Sequence, residues 1–204
     1  PTDSCIQNKV MTDSGWIDFQ DYFVKHACRP DVLAFKIAGI EDATATPESL
    51  KAIEEADLIV IAPSNPVVSI KPILSVPGMT EALMNASAFK VAVSPLINGE
   101  TVKGPADQMM KVAGYRGDVI GVADFYSGLI DAFVIDQVDR SAVSELSASV
   151  EHVLATDTLM FSRQNKIRLA ETIVHVYQEA RQQGCCSGYS SSHLSSGSGR
   201  KIAV

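Results

Sequence analysis

The sequence predicts an α/β fold, a mainly parallel sheet flanked by helices. Three observations point there. Short continuous apolar runs recur along the chain, the pattern of strands buried on both faces of a parallel sheet. Segments with helical caps and helical spacing lie between them. Gly, Pro or Asp closes each run, as at strand and helix ends.

The elements follow in order. Val32 to Ala38 is a short strand-like run ended by Gly39. Thr46-Pro47-Glu48 opens a helix, because Thr46 can cap, Pro47 suits the first helical position and Glu48 suits the positive end. Leu50, Ile53 and Ala56 continue it at helical spacing. Leu58 to Ala62 is an apolar, partly β-branched run stopped by Pro63, and Lys90 to Val93 is a second, stopped by Ser94-Pro95. A helix from about Gly104-Pro105 to Ala113 ends at Gly114. Ala132 to Ile135 is a third run, stopped by Asp136. Ile167, Ala170, Val174 and Tyr177 mark one face of a long helix reaching about Gln182. Trp16 with Phe19, Tyr22 and Phe23 reads as the packing side of an amphipathic helix. From Gly184 the composition turns to Ser and Gly. The organisation is therefore one α/β domain over residues 1–183 and a flexible Ser/Gly-rich tail over 184–204 that packs nothing.

Composition narrows the function. The 204 residues are 46% apolar and 20% charged, which excludes a disordered or fibrous chain. Seventeen basic against 24 acidic residues give a net charge of −7, so nucleic acid is not an expected partner. No apolar run is long enough to cross a membrane. Pro1-Thr2-Asp3-Ser4 is neither a signal peptide nor a natural translation start. Cys5, Cys28, Cys185 and Cys186 form no C-x-x-C pair and read as reduced thiols of a cytoplasmic protein.

Ligands of open α/β sheets bind beyond the carboxyl ends of the strands. Two strand ends carry unusual loops. In the first, Ser64 and Asn65 offer short polar side chains between Pro63 and Pro66, and Ser69 follows. A stiff loop with exposed donors suits a nucleotide or phosphate, but the same residues make ordinary turns. In the second, which starts at Ser94, Lys103 and Gly104 stand just before a helix, where a cation and free N–H groups attract an anion. A surface lysine beside a Pro-started helix is the plainer alternative. Neither loop matches a dinucleotide or P-loop fingerprint. Asp124, Asp131, Asp136 and Asp139 bracket the third strand as a solvated acidic edge or, less simply, a metal site. His26, His152, His175 and His193 show no ligand spacing.

At these loops the sequence resembles a known family. APSNPVVSIKPILSVPGM (Ala62 to Met79) resembles the PSNP signature of the 2-phospho-L-lactate transferases of coenzyme F-420 biosynthesis. VAVSPLINGETVKGPADQMM (Val91 to Met110) is similar to that family's second signature. TDSGWIDFQDYFV (Thr12 to Val24), DAFVID (Asp131 to Asp136) and TDTLM (Thr156 to Met160) match collinearly. The resemblance implies a Rossmann-like fold and transfer of a phospholactyl or phosphoenolpyruvyl group from a guanylyl-diphospho donor. The acceptor is the ribityl hydroxyl of the deazaflavin Fo, GMP leaves, and Mg²⁺ assists. It places Ser64, Asn65, Pro66, Ser69, Ser94, Lys103 and Gly104 at the substrates, names no catalytic base, and admits a homodimer. Family members are longer and open with a Gly-rich unit and Mg²⁺-binding carboxylates, so the chain is expected to start inside the family's length. Lys71 and Asn98 stand where the family usually has Gly. A non-catalytic nucleotide- or nucleotide-sugar-binding regulator on the same general fold is one alternative, although that related family lacks the full second signature, and an inactive fragment is the other.

Overall fold

In the computed structural model, residues 1–101, 104–186 and 201–203 are described. The chain opens with β1 (Gln7–Thr12), β2 (Gly15–Asp18), α1 (Phe19–Val24) and β3 (Ala34–Ala38). Helix α2 (Pro47–Glu54) leads to β4 (Leu58–Ile61). A π-helical turn, Pro66–Ile70, runs into α3 (Lys71–Leu74), followed by α4 (Met79–Asn85) and β5 (Phe89–Val93). A small hairpin, β6 (Leu96–Ile97) and β7 (Glu100–Thr101), precedes α5 (Ala106–Val112) and α6 (Val119–Phe125). Then come β8 (Ala132–Asp136), α7 (Val143–Leu146), β9 (His152–Thr156), α8 (Arg163–Cys186) and β10 (Ile202–Ala203).

The main sheet has the order β10-β4-β5-β8-β9, and every pairing in it is parallel. This is the Rossmann-like α/β architecture the apolar runs predict. The runs lie inside the sheet because both of their faces are covered. Leu58, Val91, Val93, Ala132 and Val134 meet one layer, while Ile59, Ala92, Phe133 and Ile135 join the larger core on the other side. Thr46 caps α2 as expected, its hydroxyl accepting from the Ser49 N–H at 3.3 Å.

Four expectations change. The run at Val32 does give a strand, Ala34–Ala38, but it pairs antiparallel with β1 in a separate sheet of order β2-β1-β3. Trp16 is in strand β2 and not on a helix, with Lys36 Nζ over its ring at 4.4 Å. Helix α8 turns Leu169, Ile173, Val176 and Tyr177 to the sheet, whereas Ile167 is 37% exposed. Two apolar stripes overlap on this helix, and the one carrying Leu169 and Ile173 is buried.

The fourth change concerns the expected tail. Residues 187–200 and 204 of it lie outside the described residues, but helix α8 extends through Cys186 and residues 201–203 are ordered. Ile202 and Ala203 pair with Leu58 and Ile59, and Lys201 Nζ meets Glu55 at 2.6 Å. The backbone of this pair adds ladder hydrogen bonds to the edge of β4. Deleting residues 201–204 should lower the melting midpoint by about 2–4 °C, the loss expected for one short ladder in a chain this size. An unchanged midpoint would show that the strand contributes nothing.

Candidate functional site

The carboxyl ends of β4, β5 and β9 open on one side of the sheet, and a cavity of about 510 Å³ lies there. That volume is in the range of small-molecule sites. Ser64, Asn65 and Ser69 line it from the loop after β4. Ser94 and Gly104 line it from the segment after β5. The two loops singled out in the sequence therefore converge. Pro66 is buried beneath its loop and does not line the cavity. Lys103 lies outside the described residues.

The loop after β4 is built by its own side chain. Asn65 Oδ1 accepts from the Val67 and Val68 N–H groups at 3.0 and 3.3 Å. The Asn65 carbonyl accepts from Ser69 and Ile70 at 3.0 and 3.2 Å, and the second of these makes the turn π-helical. Pro66 suits the first position because it has no N–H to satisfy. The N–H groups of residues 67 to 70 thus already have partners within the turn. Lys71 is in ordinary helical backbone at φ −53°, so a residue other than Gly fits there. Replacing Asn65 by Ala should cost about 1 kcal/mol of stability, as for loss of a helix cap. Urea unfolding would read this, and an unchanged midpoint would show that the turn holds without its cap.

Ser94 is buried, and its hydroxyl is used locally. It donates to the Leu96 carbonyl at 3.0 Å and accepts from the Leu96 N–H at 3.1 Å. The hairpin that follows turns on Asn98 and Gly99, at φ +53° and +73°. Both central residues of such a two-residue turn need positive φ, and Asn tolerates it. Asn98 therefore preserves the geometry that Gly would give, and its N–H is held by both oxygens of Asp139, at 3.1 and 2.9 Å. Gly104 has φ +86°, and a Cβ there would meet the Phe23 ring at 3.4 Å. Thr101 donates its hydroxyl to the Gly104 carbonyl. Helix α1 is tied to α5 through Tyr22, whose hydroxyl donates to Gln108 Oε1 at 2.9 Å.

A third wall was not expected from the sequence. Thr158, Leu159, Met160 and Phe161 follow β9 and line the cavity, as do Phe19 and Phe23 of α1. The rule that found the first two loops applies equally to β9, but that strand's mixed composition hid it. Asp136, at the end of β8, anchors this wall. It is only 4% exposed, and its Oδ2 accepts from the Thr158 N–H and hydroxyl at 3.0 and 2.9 Å. Its Oδ1 accepts from the Val138 N–H at 3.0 Å. Burial alone would raise its pKa, but these hydrogen bonds outweigh burial and hold it below the usual carboxylate range. Asp136 is therefore an internal anchor and not part of a solvated edge. Asp131 is likewise engaged, accepting from the Lys90 N–H at 2.7 Å. Among the described residues no three His, Cys, Asp or Glu side chains come together as metal ligands.

The signatures that line this cavity can be set against known proteins. The family described as 2-phospho-L-lactate transferase CofD matches residues 1–174. The chain belongs to that family. A 2-phospho-L-lactate transferase of Methanosarcina mazei is 36% identical over 176 residues, covering 86% of this chain and 57% of the relative. One from Methanospirillum hungatei is 40% identical over 159 residues, covering 78% and 50%. A phosphoenolpyruvate transferase of Streptomyces griseus is 37% identical over 175 residues, covering 84% and 55%. This CofD-family chain thus spans about half the length of the curated relatives it matches. A crystal structure of a Bacillus halodurans protein is similar in fold, at TM-score 0.54 and 21% identity, covering 83% of this chain and 58% of that one. Among the described residues of the CofD-family chain, no helix is long and apolar enough to cross a membrane.

Proposed function

We propose that the chain is part of a transferase of F-420 biosynthesis. It would move a phospholactyl or phosphoenolpyruvyl group from a guanylyl-diphospho donor to the ribityl hydroxyl of the deazaflavin Fo and release GMP. One observation carries the reading: the two signature loops of the family line a single cavity at the carboxyl edge of the sheet. Relatives named for phospholactate and for phosphoenolpyruvate transfer match this chain to similar degrees, so either donor is compatible with it.

In this reading Ser64 and Ser69 face the donor's diphosphate. Asn65 and Ser94 shape their loops, since their side-chain oxygens are bonded within them. Lys103 supplies a fixed positive charge, because beside a diphosphate an ammonium stays protonated. The described residues do not fit a Mg²⁺ ion, as no Asp or Glu lines the cavity and no three possible metal ligands come together among them. A Mg²⁺ ion in the reaction would take its ligands from elsewhere. Among the described side chains Cys5 and Cys28 are free thiols, which suits a cytoplasmic setting, and burial pushes the Cys28 thiol pKa up.

The test is GMP release from the guanylyl-diphospho donor in the presence of Fo. Lys103→Ala should slow it roughly a hundredfold, the effect of losing one charge-assisted contact in the transition state. The comparison is made in the full-length protein that contains this chain, and equal release by the variant and the unaltered protein would contradict the reading.

A further inference from the structure

The loop between β9 and α8 combines two features that rarely occur together. Its tip is apolar and in water: Phe161 is 79% exposed and Met160 is 39% exposed. Its ends are fixed. On one side Asp136 accepts two hydrogen bonds from Thr158, at 3.0 and 2.9 Å. On the other, Asp157 Oδ2 accepts from Arg168 Nη2 at 2.7 Å and from Asn165 Nδ2 at 3.3 Å. Asn165 Oδ1 in turn accepts from the Ser162 N–H at 3.2 Å. A large aromatic side chain held in water forgoes its own burial, and an apolar patch beside a cavity marks a surface made to be covered.

The cavity decides what covers it. Phe161 lines it from the β9 loop, and Phe23, 41% exposed, lines it from α1. Ser64 and Ser69 supply polar groups from the loop after β4. A site with aromatic side chains on one part of its wall and hydroxyls on another fits a molecule with a flat ring at one end and a polar chain at the other.

We propose that Phe161, with Met160, is a preformed platform on which a flat heteroaromatic ring stacks at the mouth of this cavity. This rests on the transferase reading for the identity of the ring. It is either the three-ring system of the acceptor or the guanine of the donor. Because the loop is fixed at both ends, little ordering accompanies binding. Phe161 then acts in specificity, by contact with the ring.

Two probes distinguish the sources. Riboflavin carries a three-ring system and a ribityl chain, and GDP carries guanine and a diphosphate. Binding to the full 204-residue chain is measured by flavin fluorescence quenching and by calorimetry. Phe161→Ala should weaken one of the two by roughly 5- to 100-fold, the range seen for one lost ring stack, and leave the other within about twofold. Phe161→Trp should keep the affinity. Loss of riboflavin assigns the platform to the acceptor ring, and loss of GDP assigns it to guanine. The proposal is overturned if Phe161→Ala changes neither probe, if both substitutions weaken both probes alike, or if the unaltered chain binds neither. Phe161 is mostly in water, so its substitution should not unfold the chain, and circular dichroism checks this. The transferase reading fails separately, by absence of GMP release from the full-length protein while ring binding to this chain persists.

Discussion

Asp136→Ala should destabilise the chain by about 3 kcal/mol and lower its melting midpoint by roughly 6–12 °C. The carboxylate is buried and accepts three hydrogen bonds, so its removal leaves the Thr158 and Val138 N–H groups and the Thr158 hydroxyl without their partner. A buried donor without a partner costs more than the bond contributed. The loop carrying Phe161 should loosen as well, so ring binding should weaken along with stability. Asp136→Asn keeps one oxygen and should cost less. The same group makes a pH prediction. Its folded-state pKa lies below the ordinary carboxylate value, so its contribution is fully present above about pH 4. It is lost as pH falls from there through the lowered native value. The stability gap between the unaltered chain and Asp136→Asn should therefore be constant near neutrality and shrink below about pH 4. A gap that stays constant down to pH 2 would mean that Asp136 does not titrate below its unfolded value.

Gly121→Ala should have an effect at least as large, about 4 kcal/mol or more. A Cβ on Gly121 would sit 2.0 Å from the Arg116 carbonyl oxygen and 2.7 Å from its carbon. Both are backbone atoms and cannot swing aside. The surroundings are held too, because Asp118 Oδ1 accepts from the Gly121 N–H at 3.0 Å while Asp118 Oδ2 meets Arg116 Nη2 at 2.7 Å. Gly128→Ala is the comparison. Its site has φ +73° but nothing within 4 Å of the added carbon, so only backbone strain of about 1 kcal/mol applies. Thermal melts of the two variants side by side would read the difference. Similar midpoints would mean that the α6 segment shifts to accommodate the methyl group.

What was legible in the sequence follows from burial. β4, β5 and β8 announce themselves because both faces are covered, which demands uninterrupted apolar residues. β9 does not, since it forms the sheet's edge and all five of its residues are half-buried. Its loop is marked in the sequence only by the TDTLM match at Thr156 to Met160, which stops one residue short of Phe161. β1 and β2 are partly exposed, with Lys9 and Trp16 on them, and strands of a small, half-exposed three-stranded sheet have no strong apolar pattern. The roles of Asn65 and Ser94 were half legible. Their positions at strand ends could be read, but the bonding of their oxygens within their own loops depends on backbone angles that residue type does not fix. Asn98 is the converse, because Asn-Gly is a hairpin turn signal that can be read directly.

We propose that the Ser64 loop and the segment from Ser94 to Gly104 form one nucleotide site. Hydrogen exchange with and without GDP tests it most directly. Binding should slow exchange in peptides covering residues 63–70 and 94–106 together, with the same dependence on GDP concentration. Protection in only one of the two segments, or in neither while GDP binds, would contradict the claim.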